Sequence, residues 1–176
     1  MSISGSRGKY VFRMSPQRGA GVIKALVLIP IMLMFVIALV FAFYEGRKAY
    51  WDYRVREMCE KDGGIKVYKT IGLPPDKFNE WGQPNFYQPA NGKNALGEEY
   101  IFLSEIHYYR KGDPQVARYH IQVVRRGDGE LLGESVSYGR GGGDMPTPSY
   151  GSSYHCPQEY GDIPLLTRIF NKENKE

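Results

Sequence analysis

Three patterns of apolar and polar positions divide the chain. Residues 25–44 read ALVLIPIMLMFVIALVFAFY, twenty residues without a charge. As a helix rising ~1.5 Å per residue they reach ~30 Å, the hydrocarbon thickness of a bilayer. Apolar side chains occur on every side, so no face is kept for water. The pattern predicts one membrane-spanning helix, with Pro30 near its start, where freed backbone groups can be satisfied locally.

The second pattern has helical period but two faces. Trp51, Val55, Met58 and Cys59 fall at i, i+4, i+7 and i+8, while Arg47, Lys48, Arg54, Arg56, Glu57 and Lys61 occupy the other positions. An amphipathic stalk is expected over residues 45–63, stopped by Gly63-Gly64. Tyr44, Tyr50, Trp51 and Tyr53 supply the amphipathic rings that favour headgroup depth.

The third pattern alternates. Ile65 to Ile71 reads as a strand, followed by a Gly-, Pro- and Asn-rich stretch over residues 72–98 with a helical turn from Pro75 to Trp81. Three long runs follow: Tyr100–Arg110, Gln115–Arg126 and Glu130–Tyr138. They are joined by Lys-Gly-Asp-Pro and Arg-Gly-Asp-Gly, both hairpin chemistry. A turn at Gly112–Gln115 sets Lys111 opposite Val116, and one at Asp128-Gly129 sets Gly127 opposite Glu130. One face then carries Tyr100, Phe102, Ile106, Tyr108, Tyr119, Ile121, Val123, Leu132, Val136 and Tyr138, and the helical stripe is expected to pack on it. After Tyr138 a Gly/Pro-rich loop is expected, then a short helix over residues 164–170.

The fold expected is therefore α+β: a single N-terminal transmembrane helix continuing into an amphipathic helix packed on an antiparallel meander of three or four strands. The boundaries are a basic tail over 1–24, the span over 25–44, the stalk over 45–63, a soluble domain over 64–172 and a disordered tail over 173–176.

Charge narrows the partners. The 176 residues carry a net charge of +4, but residues 1–44 hold five Lys/Arg and no acid, whereas residues 45–176 hold 18 Lys+Arg against 19 Asp+Glu. The folding part is close to neutral, without the basic footprint of a nucleic-acid-binding domain. The partners expected are the lipid bilayer and another membrane or envelope protein, with no nucleic acid.

Orientation turns on two points, because cations flank both ends of the span. A long following domain can be translocated despite its charges. Both cysteines, Cys59 and Cys156, lie in that domain, where an oxidising compartment would let them bond. The tail is thus placed in the cytoplasm and residues 45–176 outside, in a bacterial inner membrane facing the periplasm. An uncleaved anchor is favoured over a signal peptide because the apolar run is longer than a signal's core.

Candidate chemistry is sparse. The second face of the meander carries Glu105, His107, Tyr109, Arg118, His120, Gln122, Ser135 and Ser137. In the register above, His107 faces His120 and Ser137. Imidazoles titrate near neutrality and coordinate metals, so Glu105, His107, His120 and Ser137 are the candidate catalytic residues and His107 and His120 the candidate metal ligands. A solvated sheet face explains the same residues, since their spacing matches no established metal motif.

The run Gly139–Asp144 lacks the Gly-Lys-Ser/Thr ending of a phosphate loop. Arg126-Gly127-Asp128 is explained by its hairpin. Fourteen tyrosines suit either a small core or a binding surface. No cofactor is expected. The function expected is a non-catalytic interaction or accessory role in a membrane complex; the alternative is an envelope hydrolase or metal-binding enzyme using Glu105, His107 and His120.

Overall fold

The structure is a computed structural model describing residues 17–146 and 151–173. Most of the expected basic tail, residues 147–150 of the expected Gly/Pro-rich loop and the last three residues of the C-terminal tail lie outside the described residues. Helix α1 runs Gln17–Asp62 and contains Pro30. The chain divides into two units between Ala42 and Phe43.

In the first unit the apolar side chains from Leu26 to Phe41 are exposed on every side of α1. Its window of mean hydropathy 3.1 has none of its residues buried, and the helix is long and apolar enough to cross a membrane.

The second unit is α+β. Strands β1 (Gly64–Val67), β2 (Ile71–Leu73), β3 (Tyr100–Arg110), β4 (Gln115–Arg125), β5 (Leu131–Gly141) and β6 (Ser153–Cys156) are followed by α2 (Asp162–Ile169) and β7 (Phe170–Lys172). The main sheet has five strands rather than three or four, in the order β1-β5-β4-β3, with β6 also on β5. β1 and β6 share one edge of β5 end to end: β1 pairs residues 133–136 and β6 pairs residues 138–141. All these pairings are antiparallel. β2 and β7 form a separate parallel pair.

The expected strand from Ile65 to Ile71 is thus split between two sheets. The region after Tyr138 is not wholly loop either, since β5 runs on to Gly141 and β6 follows. Phe170 leaves the expected terminal helix for β7.

The register differs from expectation in two ways. Between β3 and β4, Glu105 faces His120 and His107 faces Arg118, two residues away from the expected pairing, with a bulge between Tyr108 and Arg110. A two-residue shift keeps every side chain on its face. Between β4 and β5 the shift is one residue: His120 faces Val136, Arg118 faces Tyr138 and Tyr119 faces Ser137. The cause lies in the turn. Arg125 N–H donates to Glu130 O at 2.8 Å, and Asp128 Oδ1 accepts from Glu130 N at 3.1 Å, so the connection is longer than a two-residue turn. A bulge between Val123 and Val124 follows. A one-residue change exchanges the faces of a strand.

Each face therefore has its own core. On one, Tyr100, Phe102, Val123 and Leu132 pack with Leu165, Leu166 and Ile169 of α2, with Phe170, and with Phe78, Ala95 and Leu96 of the 72–98 stretch. That stretch holds only short 3-10 turns, Pro75–Lys77 and Pro89–Asn94, yet it covers the sheet. On the other, Val116, Val136 and Tyr138 pack with Val55 and Cys59 of α1, flanked by Trp51 and Met58. The helical stripe thus meets the sheet, on the face opposite Phe102. Each fully buried aliphatic side chain contributes ~1.5–3 kcal/mol.

A disulfide joins Cys59 of α1 to Cys156 of β6, with Cα atoms 6.0 Å apart. Gly63 must be glycine at this clamp. A Cβ there would lie 2.6 Å from Cys59 O and 2.7 Å from its Sγ. At Gly133 a Cβ would lie 2.9 Å from Lys66 O and 3.0 Å from Ile169 Cδ1.

Two outcomes are expected for the full-length protein in detergent micelles. Reduction of the disulfide, which closes a separation of 97 residues, should cost about 4–5 kcal/mol in the chain-entropy account; a urea midpoint unmoved by reductant contradicts the clamp. Gly133→Ala should overpack α2 against β5 and cost ~1–3 kcal/mol, read as a lowered melting midpoint.

Candidate functional site

The polar residues of the α1-covered face form two connected groups at the end where the helix stops. Leaving α1 at Asp62, the chain turns through Gly63 into β1, which brings Lys66 and Tyr68 beside β5. Because the β5 register is shifted, Glu134 comes to the His120 side of the sheet, diagonal to it across β4 and β5.

Glu134 Oε2 lies 2.9 Å from His120 Nε2. Tyr68 Oη donates to Glu134 Oε1 at 2.7 Å, and Lys66 Nζ lies 3.7 Å from the same oxygen. The imidazole and carboxylate are 17% and 16% exposed. The Tyr68 hydrogen bond first, then His120 and Lys66, hold the Glu134 carboxyl below its ordinary range. An ionised carboxylate only accepts, so the His120 nitrogen facing it carries a proton. Tyr68 is in turn pushed above the usual phenol value by the same hydrogen bond.

The second group centres on Asp62 at the end of α1. Arg118 Nη2 donates to Asp62 Oδ2 at 3.2 Å and Tyr138 Oη donates to Asp62 Oδ1 at 2.6 Å. Burial and then the Asp62 hydrogen bond raise the Tyr138 phenol well above its ordinary value. Tyr109 stacks on Tyr138 with ring centroids 6.2 Å apart, and His107 meets Tyr109 edge-on at 4.9 Å.

The structure thus brings Glu105 and His120 together as cross-strand partners and places His107 opposite Arg118. Ser137 is buried and paired with Tyr119 on the other face of the sheet, away from both imidazoles. No group of three or more His, Cys, Asp or Glu among the described residues is arranged to hold a metal ion. The Glu134–His120 pair can orient an imidazole and hold its proton, and its hydrogen-bond and ion-pair partners among the described residues are Tyr68 and Lys66. The disulfide occupies both thiols.

Of the four expected interface rings, Tyr50 and Tyr53 point to solvent, while Tyr44 is half-buried. Trp51 turns to the sheet, with the Arg110 guanidinium 5.3 Å from its ring centre.

Sequence reasoning passed over the largest buried polar side chain. Arg140 is 2% exposed, and its Nε donates to Asp52 Oδ1 of α1 at 2.5 Å. Its Nη1 donates to Gly142 O and, at 3.2 Å, to Ser152 O and Oγ. Asp144 accepts from Ser152 N and Oγ, which holds its carboxyl below the usual range. The signal lay in the glycines. At Gly142, where φ is +77°, a Cβ would strike the Asp113 carboxylate, so this loop is wound tightly about charged partners. Glu134 was also passed over, because the expected register put it on the other face.

No protein-family model, curated protein or solved structure matches the chain.

The lowered Glu134 carboxyl fixes the sign of one pH effect. Its contribution to stability is complete above the unfolded glutamate value of ~4.3 and is lost as the pH falls through the lower folded value. Glu134→Gln should therefore lower the urea midpoint at pH 7, and the gap from wild type should close on acidification below that range. A gap independent of pH contradicts the network.

Proposed function

We propose that this chain is a membrane-anchored envelope protein whose α+β domain is an exported, non-catalytic interaction component of a membrane complex. The observation that carries the reading is the contrast within α1. Its Leu26–Phe41 portion presents apolar side chains on every side, as a lipid-embedded helix does, whereas from Trp51 onward one face is buried in a protein core. The Cys59–Cys156 disulfide supports placing the domain in an oxidising compartment, the periplasm of a bacterium, with the basic tail in the cytoplasm.

A non-catalytic role is supported by the chemistry of the polar face. Asp62, Arg118 and Tyr138 hydrogen-bond to one another and bind the end of α1 to the sheet, while His120 and Glu134 bond each other and Tyr68. The exposed aromatic and aliphatic side chains Ile106, Tyr108 and Tyr109 are the kind of surface that partners cover.

Four measurements test the reading. The full-length chain should stay in the membrane fraction after alkaline carbonate washing, and protease added to the outside of spheroplasts should digest residues 45–176. Crosslinking in intact membranes should capture a discrete second protein. Recovery in the soluble fraction, or a domain digested only after the membrane is opened, overturns the anchor and its orientation. Hydrolysis of generic ester or peptide substrates that vanishes in His120→Ala overturns the non-catalytic role.

A further inference from the structure

β3 is the terminal strand of the five-stranded sheet, and among the described residues its outer edge has no strand beyond it. The Pro89–Asn94 turn lies against the Tyr100 end of β3, and beyond it residues 104–109 offer main-chain donors and acceptors for ~20 Å. Natural edges of this length are blunted by lysine, proline, shortness or a covering loop. Here Tyr100–Tyr109 contains no lysine and no proline, and its only irregularity is the bulge after Tyr108. Residues 104–109 are exposed on both faces of the sheet. Among them Ile106, Tyr108 and Tyr109 are 50%, 41% and 52% exposed.

A cavity of about 480 Å³ opens beside this edge. Phe102, Ile121 and Tyr87 supply its apolar surface, and Lys93, Glu105 and Asp162 its charges. Tyr87 Oη donates to Asp162, so that acid is already engaged. Glu105 forms no ion pair among the described residues. Ser104 is the small residue at the mouth, on the same face as Phe102.

We propose that this edge is a strand-addition site for an extended segment of the partner protein. The proposal rests on the interaction role above and names its surface. The occupant follows from the alternation of the strand. A residue set against Ser104 lies over the cavity and takes a bulky aromatic side chain. The next, set against Glu105, takes a cation. The one after, set against Ile106, is apolar. Read antiparallel to β3, the segment is apolar–basic–aromatic. Main-chain bonds supply affinity and the cavity supplies specificity.

A second copy of this chain is disfavoured by charge, because Tyr100–Tyr109 carries no lysine or arginine to set against Glu105.

The test uses full-length protein in detergent micelles and a fluorescent peptide whose core is Ile-Lys-Trp flanked by threonines. The peptide should bind at least ~10-fold more tightly than its scrambled form and than a version N-methylated at alternate amides. Replacing its lysine by glutamate should weaken binding ~5-fold or more, and the Glu105→Lys protein should reverse that preference. Equal binding of the scrambled or N-methylated peptide overturns the proposal, as does an unchanged charge preference in Glu105→Lys. So does a disulfide between copies of Ile106→Cys in membranes, which would make the chain itself the occupant. If Glu105→Lys still crosslinks its membrane partner as wild type does, the edge site falls while the interaction role stands.

Discussion

A guanidinium almost wholly removed from water must be bonded on every side, and Arg140 is the point from which the second unit is organised. Its partners come from three parts of the chain: Asp52 on α1, Gly142 in the glycine run, and Ser152 just before β6. Removing one partner of such a group leaves a buried charge uncompensated, a cost of ~3–5 kcal/mol. Placement of α1 on the sheet, the path of the 142–152 loop and the approach of β6 to β5 are therefore one constraint rather than three. The Cys59–Cys156 bond closes the same arrangement two residues along the ladder, because Cys156 pairs with Tyr138 and Tyr154 with Arg140. Covalent and ionic clamps act on one ladder, with the Gly139–His155 pair between them.

That clamp explains why a small sheet carries two cores. With α1 on one face, the other face still exposes Phe102, Val123 and Leu132. An eight-residue helix is too short to cover it, so the irregular 72–98 stretch lies down beside α2 with Phe78, Ala95 and Leu96. The β2–β7 pair ties the start of this stretch to the end of α2. Coverage is uneven as a result. Both faces are closed over β5 and much of β4, whereas the middle and hairpin end of β3 are bare on both.

The sequence made some of this legible, for identifiable reasons. The helix across residues 25–62 and the extent of β3 and β4 follow from strong periodicity over many residues. The two cysteines were a pair with no competing partner. What escaped depended on single residues. Two extra positions in the turn, Arg126 and Gly127, less the one that a bulge at Leu132 takes back, moved β5 by one, which sent Val136, Tyr138 and Glu134 to the α1 side and Ser135 and Ser137 to the other. Arg140 was hidden because an arginine among glycines reads as a solvated loop, and its burial is decided by an aspartate 88 residues earlier. β6 and β7 are too short for periodicity to register.

The shifted register also changes the meaning of the histidines. Had His107 faced His120 and Ser137, the face would have offered two imidazoles and a hydroxyl in one row. As folded, His120 is held by Glu134, and Glu134 by Tyr68 and Lys66; His107 is set on Tyr109, which stacks on Tyr138, which bonds Asp62. Each imidazole thus stands at the end of a chain of contacts leading back to the junction of α1 and β1. Such networks fix the orientation of their members and depend on every bond being made. The chain through Tyr138 and Asp62 holds the end of the helix against β4 and β5, and the one through Glu134 holds Lys66 and Tyr68 against them. Glu105, exposed at the uncovered edge, stands outside both chains and forms no ion pair among the described residues, and it is there that the surface is open to another molecule.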